Sequence, residues 1–333
     1  MPVVTVANVT AKAVMDFCVS RGVRSEGLLA AAGIPPGLLA VPGARLPAEQ
    51  AVALWGEARS VTGDPLIAEH VTHRLPFGAY RIADYQLLTG ATPRDSLQRF
   101  IRGFPLVNGA FQLQLTSSRA GVHLELHSPY PPEGPSRFYV EFIFAMILAR
   151  LRLAAGVAWS PKMVCFAHPL HPDDAAYHPT FCCEARFNES VNQMVLDREF
   201  ADMALPNGDV LLSEILDHYS QSLLRQTAKD ALISDVRKVL SDGLSRGDVR
   251  LGTTARKLAL SGRSLQRELN GRGTSYREEV DRMRRDLALD LLVRVEIQEV
   301  SRLLQFSELS SFYRAFRRWT GKTPQEYLRD RSS

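Results

Sequence analysis

Cysteine is scarce in this sequence. Cys18, Cys165, Cys182 and Cys183 are the only four among 333 residues, with no Cys-x-x-Cys spacing, which argues against a zinc site and a disulfide framework. Inert thiols in a reducing cytoplasm are expected. Long apolar runs are missing too. The most apolar, Phe142 to Ala149, is closed by Glu141 and Arg150, whereas a spanning helix needs about 20 apolar residues. The first residues carry no basic segment followed by an apolar run, so neither an export signal nor membrane association is expected. Among the histidines, His123, His127, His168, His171 and His178 form no ligand set: the first two fall on a predicted strand, about 13 Å apart and too far for one ion. Nothing orients a base toward Cys182 or Cys183. Metal, cofactor and catalytic activity are therefore not expected.

What is present is an ordinary globular composition, 45% hydrophobic and 23% charged, in a chain long enough for two domains at about 150 residues each. The net charge of +4 is unevenly spread: residues 241–333 carry 19 Lys and Arg against 13 Asp and Glu, whereas residues 1–240 carry 21 against 23. A basic C-terminal piece beside a slightly acidic one suits a polyanion binder joined to something else.

The N-terminal part reads as mixed, helix-rich α+β. Helical patterns cover Thr10–Arg21, Ser25–Ala32 and Pro47–Thr62, with Gly/Pro punctuation between them. Pro93 at a first helical position after Thr92 predicts a capped helix to about Phe104. Alternation at Phe111, Leu113, Leu115 and again at Val122, Leu124, Leu126 predicts a hairpin over Ala110–Leu115 and Val122–His127. A long apolar helix follows, Ser136 to about Ala155, with further strands at Met163–His168 and Gln193–Leu196 and a helical stretch at Val210–Ala228.

The C-terminal part contains one device twice. From Leu251, small Ala255 with Leu258 and Leu260 marks one short helix, Ser261-Gly262 reads as a tight turn, and Leu265 and Leu269 mark a second helix. The second helix turns Arg263, Ser264, Gln266, Arg267 and Asn270 outward, a polar face able to lie in a major groove. From Ile297 the pattern recurs, with Ser301 46 residues after Ala255 and Arg314 47 after Arg267. Here Phe312, Phe316 and Trp319 lie inward, and Ser310, Ser311, Tyr313, Arg314, Arg317 and Arg318 outward. Between the two, Ser275 to about Leu292 predicts a continuous helix with Tyr276, Val280, Met283, Leu287 and Leu291 on one stripe, its middle near Val280 belonging to neither core. Residues 251–272 carry five Lys and Arg against one acidic residue, and residues 308–322 four against one, as phosphate-facing surfaces require.

The ordered array Ser261-x-Arg263-x-Leu265-x-Arg267-x-Leu269, Gly273-Thr274-Ser275-Tyr276, Arg284, Ala288, Phe306-Ser307-Glu308, Phe312-x-Arg314-x-Phe316, Trp319-Thr320-Gly321 and Thr323-Pro324 resembles the AraC-family DNA-binding domain, built from two helix-turn-helix units. Gln305 departs from it, standing where the family commonly has Gly; a positive φ would be strained there, so a differently opened second turn is expected. Residues 8–203 resemble the arabinose-binding-type N-terminal domain attached to some of these regulators, through Leu28-Leu29-x-x-Ala32-Gly33-Ile34-Pro35, Thr62-Gly63-Asp64-Pro65, Phe77-Gly78, His168-Pro169 and Arg186-Phe187. That name does not establish a sugar ligand.

The expected organisation is an effector-binding and dimerisation domain over residues 1–205, a helical linker over 206–232 and an all-α DNA-binding domain over 233–333. In the last, the first helix-turn-helix unit spans about 251–270, the linking helix 275–292 and the second unit 297–319. The resemblance implies a cytoplasmic, effector-responsive activator whose partners are double-stranded operator DNA, RNA polymerase, a small-molecule effector and a second copy of the chain. Two other classes compete. A DNA-alkylation repair enzyme with such a domain would need a four-cysteine cluster, and a constitutive DNA binder would ignore metabolites.

Overall fold

The computed structural model describes residues 4–170, 180–245 and 248–332; His171 and His178 lie outside the described residues. In chain order the elements are β1 (Thr5–Ala7), α1 (Asn8–Ser20), α2 (Ser25–Ala31), β2 (Arg45–Pro47), α3 (Ala48–Thr62), α4 (Ile67–Arg74), α5 (Ile82–Thr89), α6 (Pro93–Gly103), β3 (Gln112–Ser117), β4 (Val122–His127), α7 (Ser136–Ala155), β5 (Met163–Cys165), β6 (Glu184–Arg186), β7 (Asn192–Leu196), α8 (Arg198–Asp202) and α9 (Val210–Ser245). They continue with α10 (Leu251–Lys257), α11 (Gly262–Asn270), α12 (Tyr276–Leu291), α13 (Ile297–Leu303), α14 (Leu309–Thr320) and α15 (Pro324–Ser332). Backbone contacts divide the chain into one compact unit ending at Leu224 and a second from Arg225 onward.

The first unit is α+β. α7 is its centre because it is apolar on nearly every side: Phe138 to Leu148 is buried without a break, as a helix hydrophobic all round must be. α3, α4, α5 and α6 pack on it. Beside these helices lies a five-stranded sheet of order β3-β4-β7-β5-β6, antiparallel except for the β5–β6 pair. In the β3–β4 hairpin Leu113 faces Leu126 and Leu115 faces Leu124, so the expected apolar alternation sits on one face. The first strand starts two residues later than its pattern suggested because the Ala110 and Phe111 amides donate to Asn108 Oδ1 at 2.9 and 3.1 Å. Thr92 caps α6 as expected, its hydroxyl accepting from the Asp95 amide at 3.1 Å. The strand expected over Met163–His168 ends at Cys165. The short β1, β2 and β6 have no alternation long enough to read.

One buried ion pair fixes the wall between α4 and α5. Arg150 of α7 donates to Asp84 Oδ1 at 2.9 Å and to the Leu75 and Pro76 carbonyls at 3.2 and 2.9 Å. Asp84 also accepts from the Tyr80 amide at 3.1 Å. Both side chains are more than nine-tenths buried, so removing either leaves a charge in a low-dielectric surrounding. Asp84→Ala should therefore destabilise the first unit by about 3–5 kcal/mol, read as a calorimetric shift of its transition; a loss under about 1 kcal/mol, the worth of a solvent-exposed pair, would refute burial of this pair. Asp84→Asn with Arg150→Met should recover most of the deficit.

Candidate nucleic-acid interface

The stretch read as helical over Val210–Ala228 is the first half of α9, a helix that continues to Ser245. Its last turns belong to the second unit. Val236 and Leu240 are buried in one hydrophobic cluster with Ala255, Leu265 and Leu269. Leu244 is buried in another, with Ala288, Leu292, Val300, Leu304, Phe312 and Phe316. Each cluster is the core of one helix pair, α10–α11 or α13–α14. Small Ala255 and Ser301 are buried at 1% and 4% exposure at equivalent places in the first helix of each pair; a larger residue there would hold the helices apart.

The first turn differs from its sequence reading. Ser261 is not in a tight turn but caps α11, its hydroxyl accepting from the Ser264 amide at 3.1 Å, and Gly262 is the first helical residue. The reversal occurs earlier, at Ala259, whose φ is +54°. There the Leu260 amide reaches back to the Ala255 carbonyl at 2.8 Å, the six-to-one closure of a helix ending in a left-handed residue. The second pair closes the same way: Gln305 has φ +61°, and the Phe306 amide donates to the Ser301 carbonyl at 3.1 Å. The second turn thus does not open differently, although Gln replaces the expected Gly. Gln305 gains a compensation that Ala259 lacks, because its side-chain amide donates to the Leu244 carbonyl at the end of α9.

α12 links the pairs, started by a reciprocal capping box between Ser275 and Glu278. The expectation that Val280 belongs to neither core is corrected. Tyr276 and Val280 pack on the first cluster, Leu287 and Leu291 on the second, and Met283 on both. Glu279, on the same stripe, has no exposed side-chain surface. Its carboxylate accepts from Arg237 Nε of α9 at 2.7 Å, Arg282 Nη1 at 2.8 Å and the Thr274 hydroxyl at 2.8 Å. Arg284 lies 4.8 Å over the Phe306 ring, and burial lowers its pKa below the usual guanidinium range.

The outward faces are now defined. On α11, Arg263, Gln266, Arg267 and Asn270 are exposed and Ser264 is half-buried; the side chains of Arg263, Gln266, Arg267 and Asn270 make no hydrogen bond or salt bridge among the described residues. On α14, Ser310, Arg314 and Arg317 are exposed and Ser311 is half-buried. The Ser310 hydroxyl donates to Glu308 and Arg314 Nη2 to the Ser311 hydroxyl, each at 3.2 Å. One residue read as outward is placed otherwise, and another is outward as read but paired. Tyr313 packs against the second cluster, edge-on to Phe312, and Arg318 is salt-bridged at 2.8 Å to Asp281 of α12. Some basic residues elsewhere on the unit are also neutralised, Arg250 by Asp248, Arg272 by Glu268, Arg302 by Glu299 and Lys322 by Asp330, whereas Lys238, Arg277 and Arg294 are exposed and have no salt bridge among the described residues. Arg263 and Arg267 of α11, Arg314 and Arg317 of α14, and Arg256 and Lys257 ending α10 have no salt bridge among the described residues.

Two amphipathic helices, each the second of a tightly closed pair, thus present unneutralised guanidinium groups. Residues 22–205 match the family described as the arabinose-binding domain of AraC transcription regulator, N-terminal, and residues 254–330 match a helix-turn-helix domain. The chain belongs to the AraC family of transcription regulators. It is a DNA-binding transcriptional regulator with an α+β N-terminal domain and a helical C-terminal region. The ornithine utilization regulator of Pseudomonas aeruginosa is 28% identical over 322 residues, covering 95% of this chain and 94% of that one. The regulator VirS of Mycobacterium tuberculosis is 27% identical over 206 residues, 60% of this chain and 57% of that one. The regulator VqsM of P. aeruginosa is 39% identical over 79 residues, 23% of this chain and 24% of that one. Among the described residues no helix is long and apolar enough to cross a membrane, and no three His, Cys, Asp or Glu side chains gather as a metal site.

Two stability differences should be measurable on this AraC-family chain by calorimetry. Ala259→Gly should raise the transition of the second unit, because relief of about 1–2 kcal/mol of left-handed strain outweighs the about 0.5–1 kcal/mol glycine costs in chain entropy. Gln305→Gly should gain less, having lost its bond to Leu244; equal gains would mean that this bond contributes nothing. Second, Arg237→Ala with Arg282→Ala strands a buried carboxylate and should destabilise by about 3–5 kcal/mol. Glu279→Ala leaves only half-exposed guanidinium groups and should cost about 1.5–3 kcal/mol. The reverse order would refute Glu279 as a buried anion.

Proposed function

We propose that the chain is a one-component switch that acts by binding rather than catalysis: a small molecule held by the N-terminal unit alters how α11 and α14 engage operator DNA, activating transcription by RNA polymerase. In this reading the units are a sensor and dimerisation domain over residues 1–205, a helical linker over 206–232 and a DNA-binding domain over 233–333, and the working form is a cytoplasmic homodimer. Arg263, Ser264, Gln266, Arg267 and Asn270 face the bases and phosphates of one major groove, and Ser310, Ser311, Arg314 and Arg318 those of the next. The observation that carries this is that each second helix turns two exposed arginines outward without a salt bridge among the described residues, Arg263 and Arg267 on α11 and Arg314 and Arg317 on α14. α12 spans about 24 Å at about 1.5 Å per residue, and its burial in both clusters suits two helices that must enter grooves about 34 Å apart.

A methyl-acceptor repair enzyme is less well supported, because transfer needs a thiolate. Burial pushes the Cys18 and Cys183 thiols up to about 11 and raises that of Cys165.

Arg267→Ala should weaken operator binding by about 1–3 kcal/mol and relax preference at one base pair, as loss of a base contact does. Arg317→Ala should weaken all sequences alike and lower the salt slope by about one phosphate contact. Arg318→Ala should act less than Arg317→Ala, since its charge is already matched by Asp281. Fluorescence titrations at several salt concentrations, against operator and scrambled DNA, are the measurement; identical specificity profiles and slopes for all three variants would remove the assignment.

A further inference from the structure

The first unit contains a cavity of about 640 Å³, within the range of small-molecule sites. Its body is apolar, formed by side chains such as Val9, Leu39, Ile82, Val107 and Leu223. Its walls are held before any ligand arrives. The Asn8 amide donates to the Leu38 and Val41 carbonyls at 3.2 and 2.9 Å, and Arg150 fixes Leu75 and Pro76 from behind.

The charge at its rim is one-sided. Lys12 is neutralised by Asp16 at 2.5 Å, the one acidic side chain lining the cavity among the described residues. Arg45, Arg74 and Arg81 also line it, and none has a salt bridge among the described residues. Arg45 is half-buried and donates only to uncharged oxygens, including those of Thr5 and Leu106. Burial lowers its pKa, the mark of a cation short of solvent and without a counter-ion. Arg74 bonds the Ser20 hydroxyl at 2.6 Å and lies over the Phe17 ring. Arg81 makes no side-chain hydrogen bond, yet its backbone is held at φ +52° and ψ −120°, a conformation that a residue keeps only when its surroundings impose it.

Away from the charged rim, polar partners for a neutral ligand are few. The Tyr80 hydroxyl is already bonded to Thr10 at 2.6 Å, and the Asn8 amide is taken up by carbonyls. A sugar would find partners only among the charged groups of the rim and would bury its other hydroxyls in the apolar body, an expensive step. We infer that this cavity is the effector site and that it takes an amphipathic organic carboxylate, its anionic end on Arg81, whose guanidinium has no partner among the described residues, and its apolar body in the cavity; Arg45 and Arg74, tied near opposite ends of α1, add positive charge at the rim. This rests on the proposal that the N-terminal unit senses a small molecule.

The test uses the full chain and straight-chain carboxylates from hexanoate to dodecanoate, with the matching alcohols and amines and with L-arabinose as controls. Saturable one-to-one binding of at least one carboxylate by calorimetry is expected, with the controls weaker by at least about tenfold, as loss of one charge-assisted hydrogen bond implies. Arg81→Ala, which breaks no internal bond, should weaken carboxylate binding by about tenfold, and Ala13→Trp, which fills the cavity, should abolish it. Equal binding of alcohols or amines, or carboxylate binding indifferent to both substitutions, overturns the inference. Titration of operator DNA with and without the carboxylate then separates the two ideas. Binding that depends on Arg81 but leaves DNA affinity and transcription unchanged upholds the carboxylate site and sinks the effector role. Absence of carboxylate binding in a chain whose DNA affinity responds to a cell metabolite extract sinks the site alone.

Discussion

The DNA-binding unit depends on a carboxylate that has no contact with water. Glu279 sits on the apolar stripe of α12 and is satisfied by a guanidinium from α9, another from its own helix and a hydroxyl from the preceding loop. Such a group adds little net stability compared with a hydrophobic replacement, but it tolerates few arrangements other than the one that satisfies it. It therefore fixes α9 against α12 at one register. The hydrophobic clusters build outward from that contact, because Val236 and Leu240 flank Arg237 on α9 while Tyr276, Val280 and Met283 flank Glu279 on α12. With Met283 packed into both clusters, α12 joins the cores of the two helix pairs.

Much of this was legible in the chain before any coordinates. The repeat from Ala255 and Leu269 to Ser301 and Phe316 defined both helix pairs, since the 3.6-residue period and a small crossing residue admit few other folds. α7, the β3–β4 hairpin and the Thr92 cap were equally clear, each resting on a local rule. What escaped notice was decided by tertiary partners. Glu279 stands in the run Arg277-Glu278-Glu279, which looks solvated, although its spacing of three from Tyr276 and four from Met283 put it on the buried stripe. Asp281 and Arg318 lie 37 residues apart, and no pattern joins them. The length of α9 was underestimated because its apolar positions serve different clusters along its course, so no single stripe persists.

The contrast between paired and unpaired arginines explains how a unit with a modest positive excess can still address a polyanion. Several of its cations, Arg250, Arg272, Arg282, Arg285, Arg302 and Lys322, are cancelled by a carboxylate nearby in the chain, which keeps their fields short-ranged in salt. Arg263 and Arg267 of α11 and Arg314 and Arg317 of α14 have no salt bridge among the described residues, so uncancelled charge stands on both polar faces. Gln305 shows the same economy in the backbone: a strained φ is tolerated because its side chain ties the turn to the end of α9.

The final turns of α9 also decide where this protein can be cut and recombined. A module taken from Leu251 would contain every helix of both pairs, yet it would lack Val236, Leu240 and Leu244, leave both clusters open to water and deprive Glu279 of Arg237. The portable DNA-binding module is therefore longer than its repeat, and it begins on α9 before Val236. Sensor exchange between relatives, whether by recombination in a genome or by an engineer, preserves a working reader only when the junction falls upstream of that turn.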